Sequence, residues 1–252
     1  MSKIKIASVS YLNSIPFIYG INESKSIDAE LITAPPVECT RLFDEGEVDI
    51  ALIPVAALPN LRRKAEIVTS HCIGSVGAVR TVTLMSDDEP HNIKRIWLDT
   101  DSQTSVKLLA HLCDNHFKIA PRWSLLTSPE RLSHPEDGDA FLLIGDKVFD
   151  HEGEFEYEID LAEEWMHHCS LPFVFAVWCC GEDVDREVLA DLEDALEWGV
   201  EHTFEALQQM RPDVEMEDGY RYLTQNIDTL LDGAKREAMR RFLDSPSSIS
   251  LK

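Results

Sequence analysis

Four short stretches put polar side chains where an α/β chain hands a strand over to the next element. In Ser10-Tyr11-Leu12-Asn13 an uncharged amide follows the apolar run KIKIASV and precedes IPFIYG. In Gly77-Ala78-Val79-Arg80-Thr81 two small residues allow close backbone approach ahead of a cation and a hydroxyl. In DTDSQTSV, residues 99–106, a strand ends and a helix begins, with Asp101 or Ser102 as the expected N-cap. In Ile144-Gly145-Asp146 a strand ends on a glycine and a carboxylate. The third stretch carries the plainest chemistry: unpaired N–H groups at a helix start, with the Thr104 and Ser105 hydroxyls, would hold a carboxylate. Each stretch also has an ordinary structural use. Ser/Thr clusters cap helices, Asn closes turns, Arg80 can be a surface charge, Gly145 a turn residue and Asp146 a cap.

The elements around these stretches predict how they meet. IKIASVS, AELITA, VDIALIPV and EIVTSHCI have the Ile and Val content of short buried strands. VECTRLFDEGE between the second and third is a short helix ending at Gly46, so the order β-α-β-α-β predicts a parallel sheet. VRTVTLMS is a further strand. A second α/β unit follows: KRIWLDT, the helix TSVKLLAHLCDNH with Val106, Leu109, Ala110 and Cys113 on one face, then PRWSLLT and DAFLLIGD. LPFVFAVW returns the chain, and the tail is expected to be helical in DREVLADLEDALEWGVEHTFEALQQM and DGYRYLTQNIDTLLDGAKREAMRRFL. The expectation is a two-lobed α/β fold. Residues 1–86 with 175–252 form one lobe and residues 87–174 an inserted second lobe. Strands near 82–88 and 172–178 connect them, and a ligand cleft lies between the lobes.

Composition narrows the ligand. Lys and Arg number 23 against 46 Asp and Glu, a net charge of −23, which repels nucleic acid and anionic membrane surfaces. No run approaches the ~18–20 apolar residues of a membrane span. The start MSKIKIASVSYLNS has no long apolar core or small-residue cleavage site, so a cytoplasmic protein is expected. Six cysteines without CxxC spacing fit reduced, buried thiols. The nine histidines show no ligand-like spacing, so no metal is expected, and the motifs GxSxG, GxxxxGK[ST] and GxGxxG are absent. No cofactor is expected.

VSYLNSIPF, GEVDIALIPV, SVGAVRTVTLMS, DTDSQTSVKLL, LLIGD and LPFVFAVW stand in the order in which similar stretches occur in the chorismate dehydratases of the futalosine route to menaquinone. The resemblance runs from about residue 3 to 180, and the YRYLTQNI…RRFL tail is also similar. It implies a type II periplasmic-binding-protein-like fold, with chorismate as the small-molecule partner. The implied reaction is conversion of chorismate to 3-[(1-carboxyvinyl)oxy]benzoate and water. It places the family's active-site Asn on Asn13, beside Ser10 and Tyr11. Its hydroxyl residue falls on Thr81 beside Arg80, its helix start on Thr104, Ser105 and Val106, and its IGD on Ile144, Gly145 and Asp146. Three positions depart: Thr81 for the frequent Ser, Lys147 for a small residue, and Ser170 for Gly in Cys169-Ser170-Leu171-Pro172-Phe173.

The implied reaction removes the ring C3 proton and the C4 hydroxyl. Charge from the C3 centre spreads onto the ring carboxylate, which Thr104, Ser105 and the helix N-terminus could stabilise. Two bases are candidates, Asp146 and the enolpyruvyl carboxylate of the substrate itself; the resemblance, with no His or Glu in the four stretches, favours the substrate. Asn13 would position the side chain or the departing hydroxyl without exchanging a proton. Two other readings remain beside this one. The first is a non-catalytic cytosolic protein of the same fold that binds or senses a small carboxylate. The second is the sister dihydroxynaphthoate synthase of the same pathway.

Overall fold

The computed structural model describes residues 3–99, 101 and 103–246. Its first strands are the Ile- and Val-rich runs. β1 (Ile4–Val9) leads through a 3₁₀ turn, Leu12–Ser14, into α1 (Ile15–Glu23). β2 (Ala29–Ala34), α2 (Pro36–Asp44), β3 (Ile50–Pro54) and β4 (Glu66–Ser75) follow. The next part of the chain builds β5 (Val82–Ser86), β6 (Arg95–Leu98) and α3 (Thr104–Leu112), which a π turn at Cys113–Phe117 prolongs. It continues with β7 (Arg122–Leu125), β8 (Asp139–Ile144), a 3₁₀ segment Gly145–His151, β9 (Tyr157–Asp160) and α4 (Leu161–Cys169). The return is β10 (Phe173–Cys180), then α5 (Arg186–Glu201), α6 (Thr203–Met210) and α7 (Met216–Arg221). A π turn Tyr222–Asn226, β11 (Asp228–Leu230) and α8 (Gly233–Asp244) close the chain.

These strands form two sheets, ordered β11-β4-β10-β3-β1-β2 and β7-β6-β8-β5-β9. The expected parallel pairing holds for β1 with β2 and β3. The first sheet is nevertheless mixed, because β10 runs antiparallel between β3 and β4. β10 is paired along both edges, and all eight of its residues are buried. Residues 82–86, expected in the first lobe, pair instead with β8 and β9 in the second sheet, with Val82 opposite Ile144 and Thr83 opposite Asp160. Every residue of β5 is buried and needs a neighbour on each side. The chain therefore crosses between the sheets at residues 76–81 and 170–172.

Two further elements differ from the sequence expectation. The acidic stretch before LPFVFAVW contains β9, an edge strand whose charged Glu158 discourages further pairing, ahead of the helix α4 that ends in WMHHC. The tail is not continuous helix. Asp228–Leu230 extends along the edge of β4, and Asp232 then caps α8 by accepting the Lys235 N–H at 2.8 Å.

One apolar core runs through both lobes and includes Phe17, Trp178, Ile96, Leu142 and Trp165. Behind the Asn13 turn, α1 and α5 touch backbone to backbone. A Cβ on Gly20 would lie 2.0 Å from the Ala195 carbonyl oxygen, and one on Gly199 would lie 2.0 Å from that of Pro16. The turn that carries Asn13 is therefore braced by a helix pair with no side chains between.

α4 ends at Ser170 with φ +55°, the left-handed region that favours glycine. A residue with a Cβ costs about 1 kcal/mol there. Ser170→Gly is expected to stabilise the protein by about 0.5–1 kcal/mol, read as a raised denaturation midpoint; an unchanged or lower midpoint would contradict it.

Candidate active site

The cleft between the lobes, about 540 Å³ with the open solvent at its mouth, is lined from both sides. The first lobe contributes Val9, Tyr11, Asn13, Pro36, Pro54, Phe175 and Ala176; the second contributes Ser105, Thr104, Ile144 and Gly145, and the first crossing contributes Val79 and Thr81. Among the described residues that line it, the one carboxylate is Asp101. Lys147 lies 3.0 Å from an Asp101 oxygen and 3.0 Å from one of buried Asp99. Burial alone would lower the Lys147 pKa, but the two carboxylates outweigh it and the net shift is upward, so the ammonium persists.

Asn13 sits in the middle of the 3₁₀ turn, and the Ser14 hydroxyl donates to its Oδ1 at 3.0 Å. That turn has an N–H with no partner of its own at Leu12. Asp146 supplies one from the other lobe: its two oxygens accept the Leu12 N–H at 2.9 and 3.1 Å. Beside it, Gly145 has φ +65°, and a Cβ there would come within 2.8 Å of the Tyr11 ring. The Tyr11 ring thus lies flat on the Gly145 backbone. Its hydroxyl is buried with no hydrogen-bond partner among the described residues, and burial raises its pKa, so it stays a neutral donor.

Thr81 ends the first crossing, and its Oγ1 lies 2.7 Å from the hydroxyl of Tyr222, which is wholly buried. Burial raises the Tyr222 pKa, and the hydrogen bond to Thr81 opposes that shift only in part. Asn13 and Thr81 therefore present uncharged polar groups to the cleft, with Tyr222 of the C-terminal tail held behind Thr81. Tyr222 is the residue that the sequence analysis missed. YRYLTQNI carries no local sign of a site, since its partner is 141 positions away in the chain.

The other expected residues divide. Thr104 and Ser105 open α3 at the cleft, but the Thr104 hydroxyl donates to the Phe175 carbonyl at 3.0 Å and accepts the Ala56 N–H at 3.2 Å. It joins the lobes. The cap position of α3 is Gln103, whose side chain makes no capping bond; Asp101 is paired with Lys147, and Ser102 lies outside the described residues. Val106 faces away, toward Ala56 and Leu243. Ser10 and Asp146 border a separate hollow with Phe149 and Met210. Arg80, at φ +67°, does not line the cleft: its guanidinium bonds Glu152 at 2.5 and 2.7 Å and Asp218 at 2.9 Å, and it lies over the Phe149 ring. Among the described residues, no three of His, Cys, Asp and Glu come together as metal ligands would, and no helix is long and apolar enough to cross a membrane.

Two α/β lobes joined by two crossings, with a cleft between them, define the periplasmic-binding-protein-like fold. A Candida albicans protein described as having the generic periplasmic binding protein fold superposes with a TM-score of 0.68 at 15% identity, over 98% of this chain and 92% of that one. A crystal structure from Archaeoglobus fulgidus gives 0.75 at 16% identity, over 95% of each chain. Within that fold the chain belongs to the menaquinone biosynthesis family, whose model matches residues 4–246. A chorismate dehydratase of Thermus thermophilus is 28% identical over 166 residues, which are 59% of this chain and 60% of that protein's length.

The joint at Leu12 can be tested apart from any chemistry. Asp146→Leu leaves the Leu12 N–H without an acceptor and is expected to cost about 1–3 kcal/mol in denaturant unfolding, with faster amide exchange at Leu12. Asp146→Asn keeps an acceptor oxygen and should cost less than about 1 kcal/mol; equal losses in the two would show that the joint does not carry the effect.

Proposed function

We propose that the protein is a chorismate dehydratase, a hydro-lyase acting in menaquinone biosynthesis, and that its substrate supplies the base. The observation that carries this reading is the pair Asn13 and Thr81 at the cleft, with Tyr222 behind Thr81. The cleft offers hydrogen bonds to a carboxylated ring from neutral groups, while its carboxylate Asp101 is paired with Lys147 and Asp146 is engaged at the Leu12 N–H and borders another hollow. Family membership and the partial match to the Thermus thermophilus enzyme support the same reading.

In this reading the ring carboxylate lies at the start of α3, against Ser105 and the first N–H groups of the helix, where fixed dipoles favour negative charge. Loss of the C3 proton moves charge through the ring double bond onto that carboxylate, which the same dipoles stabilise. The enolpyruvyl carboxylate takes the proton, the C4–O bond breaks, and the departing hydroxide leaves as water with that proton. Aromatisation drives the step. Asn13 and Thr81 hydrogen-bond the reacting groups without exchanging a proton. A neutral amide at position 13 suits a dianionic substrate, which a carboxylate there would repel.

Purified protein is incubated with chorismate, and products are followed by mass spectrometry against an enzyme-free control. A product lighter by one water that retains its enolpyruvyl group is expected. Unchanged chorismate that raises the melting temperature would replace this reading with a binding protein. Asn13→Asp and Asn13→Leu should abolish turnover in folded protein, and wild-type rates in either would remove Asn13 from the mechanism. Asp146→Asn should lose about tenfold or less; a loss across the roughly 10²–10⁴ range of a general base would make Asp146 the base instead.

A further inference from the structure

Tyr222 lies behind the cleft rather than in it. It is fully buried, and its ring meets Phe149 edge to face at 5.3 Å. It opens the π turn that follows α7, and this unit is tied to the first crossing at three places. Asp218 holds the Arg80 guanidinium at 2.9 Å, Tyr222 holds the Thr81 hydroxyl at 2.7 Å, and Asn226 donates to the Ala78 carbonyl at 3.2 Å. Inserting a π turn shifts the side chains that follow out of helical register, a device common at functional sites. Here it lets residues 218, 222 and 226 all face residues 78–81.

We propose that Tyr222 is a positioning residue that fixes the direction of the hydrogen bond from Thr81, aiming the Thr81 proton into the cleft at the departing hydroxyl. This rests on the dehydratase reading. The direction follows from counting partners. Among the described residues the Tyr222 hydroxyl, wholly buried, has Thr81 Oγ1 as its one hydrogen-bond partner, so a Tyr222 proton turned anywhere else would be buried without an acceptor. The Tyr222 proton therefore goes to Thr81 Oγ1. A Thr81 oxygen that accepts from Tyr222 turns its own proton elsewhere, and Thr81 borders the cleft. The series Tyr222 to Thr81 thus presents an O–H of one orientation to the leaving group. Burial keeps the phenol protonated, which the series requires. No proton leaves Thr81 or Tyr222; the departing hydroxide takes its proton from the substrate's enolpyruvyl carboxyl group.

The test compares wild type, Tyr222→Phe, Thr81→Val and the double variant in steady-state turnover of chorismate, with melting temperatures for each. Wild type that does not dehydrate chorismate sinks the dehydratase reading itself, whereas the following outcomes, in wild type that does, bear on Tyr222. Tyr222→Phe keeps the ring and is expected to lower kcat about tenfold to a hundredfold with KM within about threefold, somewhat less than removing a direct donor. The double variant should be no slower than Thr81→Val alone, because Tyr222 acts through Thr81. An unchanged kcat in Tyr222→Phe, or additive losses in the double variant, would overturn the proposal. If Tyr222→Phe does not fold, 3-fluorotyrosine placed at position 222 preserves the packing and makes the phenol a stronger donor. A changed kcat with unchanged KM then supports the inference, and an unchanged kcat overturns it.

Discussion

The cleft depends on hydrogen-bonded joints between the lobes, of which the Leu12 N–H on the carboxylate of Asp146 holds the Asn13 turn. A short 3₁₀ turn presents N–H groups that nothing inside the turn can satisfy, and a carboxylate is their strongest acceptor. Here it comes from the opposite lobe, so satisfying the turn and bringing the lobes together are one event. Asn13 is the next residue along. Thr104 makes the reciprocal joint, reaching from the helix start of the second lobe to backbone groups of the first. Closure is therefore built from polar groups that an open form would have to leave to water.

Within the cleft the neutral groups gain strength from their apolar surroundings. Hydrogen bonds from hydroxyls and amides are electrostatically stronger in a low local dielectric, and they need no counter-charge to remain in place. This reconciles a net charge of −23 with a ligand that is itself anionic: most carboxylates belong to the outer surface, where solvent screens them. The acidic residue that does reach the cleft, Asp101, is matched by Lys147. The departure from a small residue at position 147 thus has a local partner.

The strands were legible because their Ile and Val runs have the length and burial of sheet elements, and β1 to β8 stand where those runs stand. What the sequence did not disclose was non-local. The central antiparallel place of β10 depends on which neighbours remain uncovered once the second lobe is complete. Tyr222 became a site residue only because a π turn and a crossing far apart in the chain were brought together. Adjacent residues were also hard to separate. Gly145 and Asp146 follow each other at a strand end, yet the first faces the cleft and the second leaves it as the backbone enters a 3₁₀ turn. Arg80 and Thr81 part in the same way, the left-handed backbone of Arg80 turning its side chain toward Glu152 and Asp218.

The place of β10 between β4 and β3 also sets a timetable for synthesis. On a growing chain, β3 and β4 are both made before the second lobe; β3 can pair with β1, but its other edge and β4 have no partner until residues 173–180 emerge. At about 5–20 residues per second, the intervening segment takes several seconds to be translated. During that interval the nascent first lobe is a fragment with an unpaired β3 edge, and the second lobe can complete its own sheet first. The strand that seals the first sheet is thus also the one that ends the window in which a chaperone, or another nascent chain, could occupy that edge.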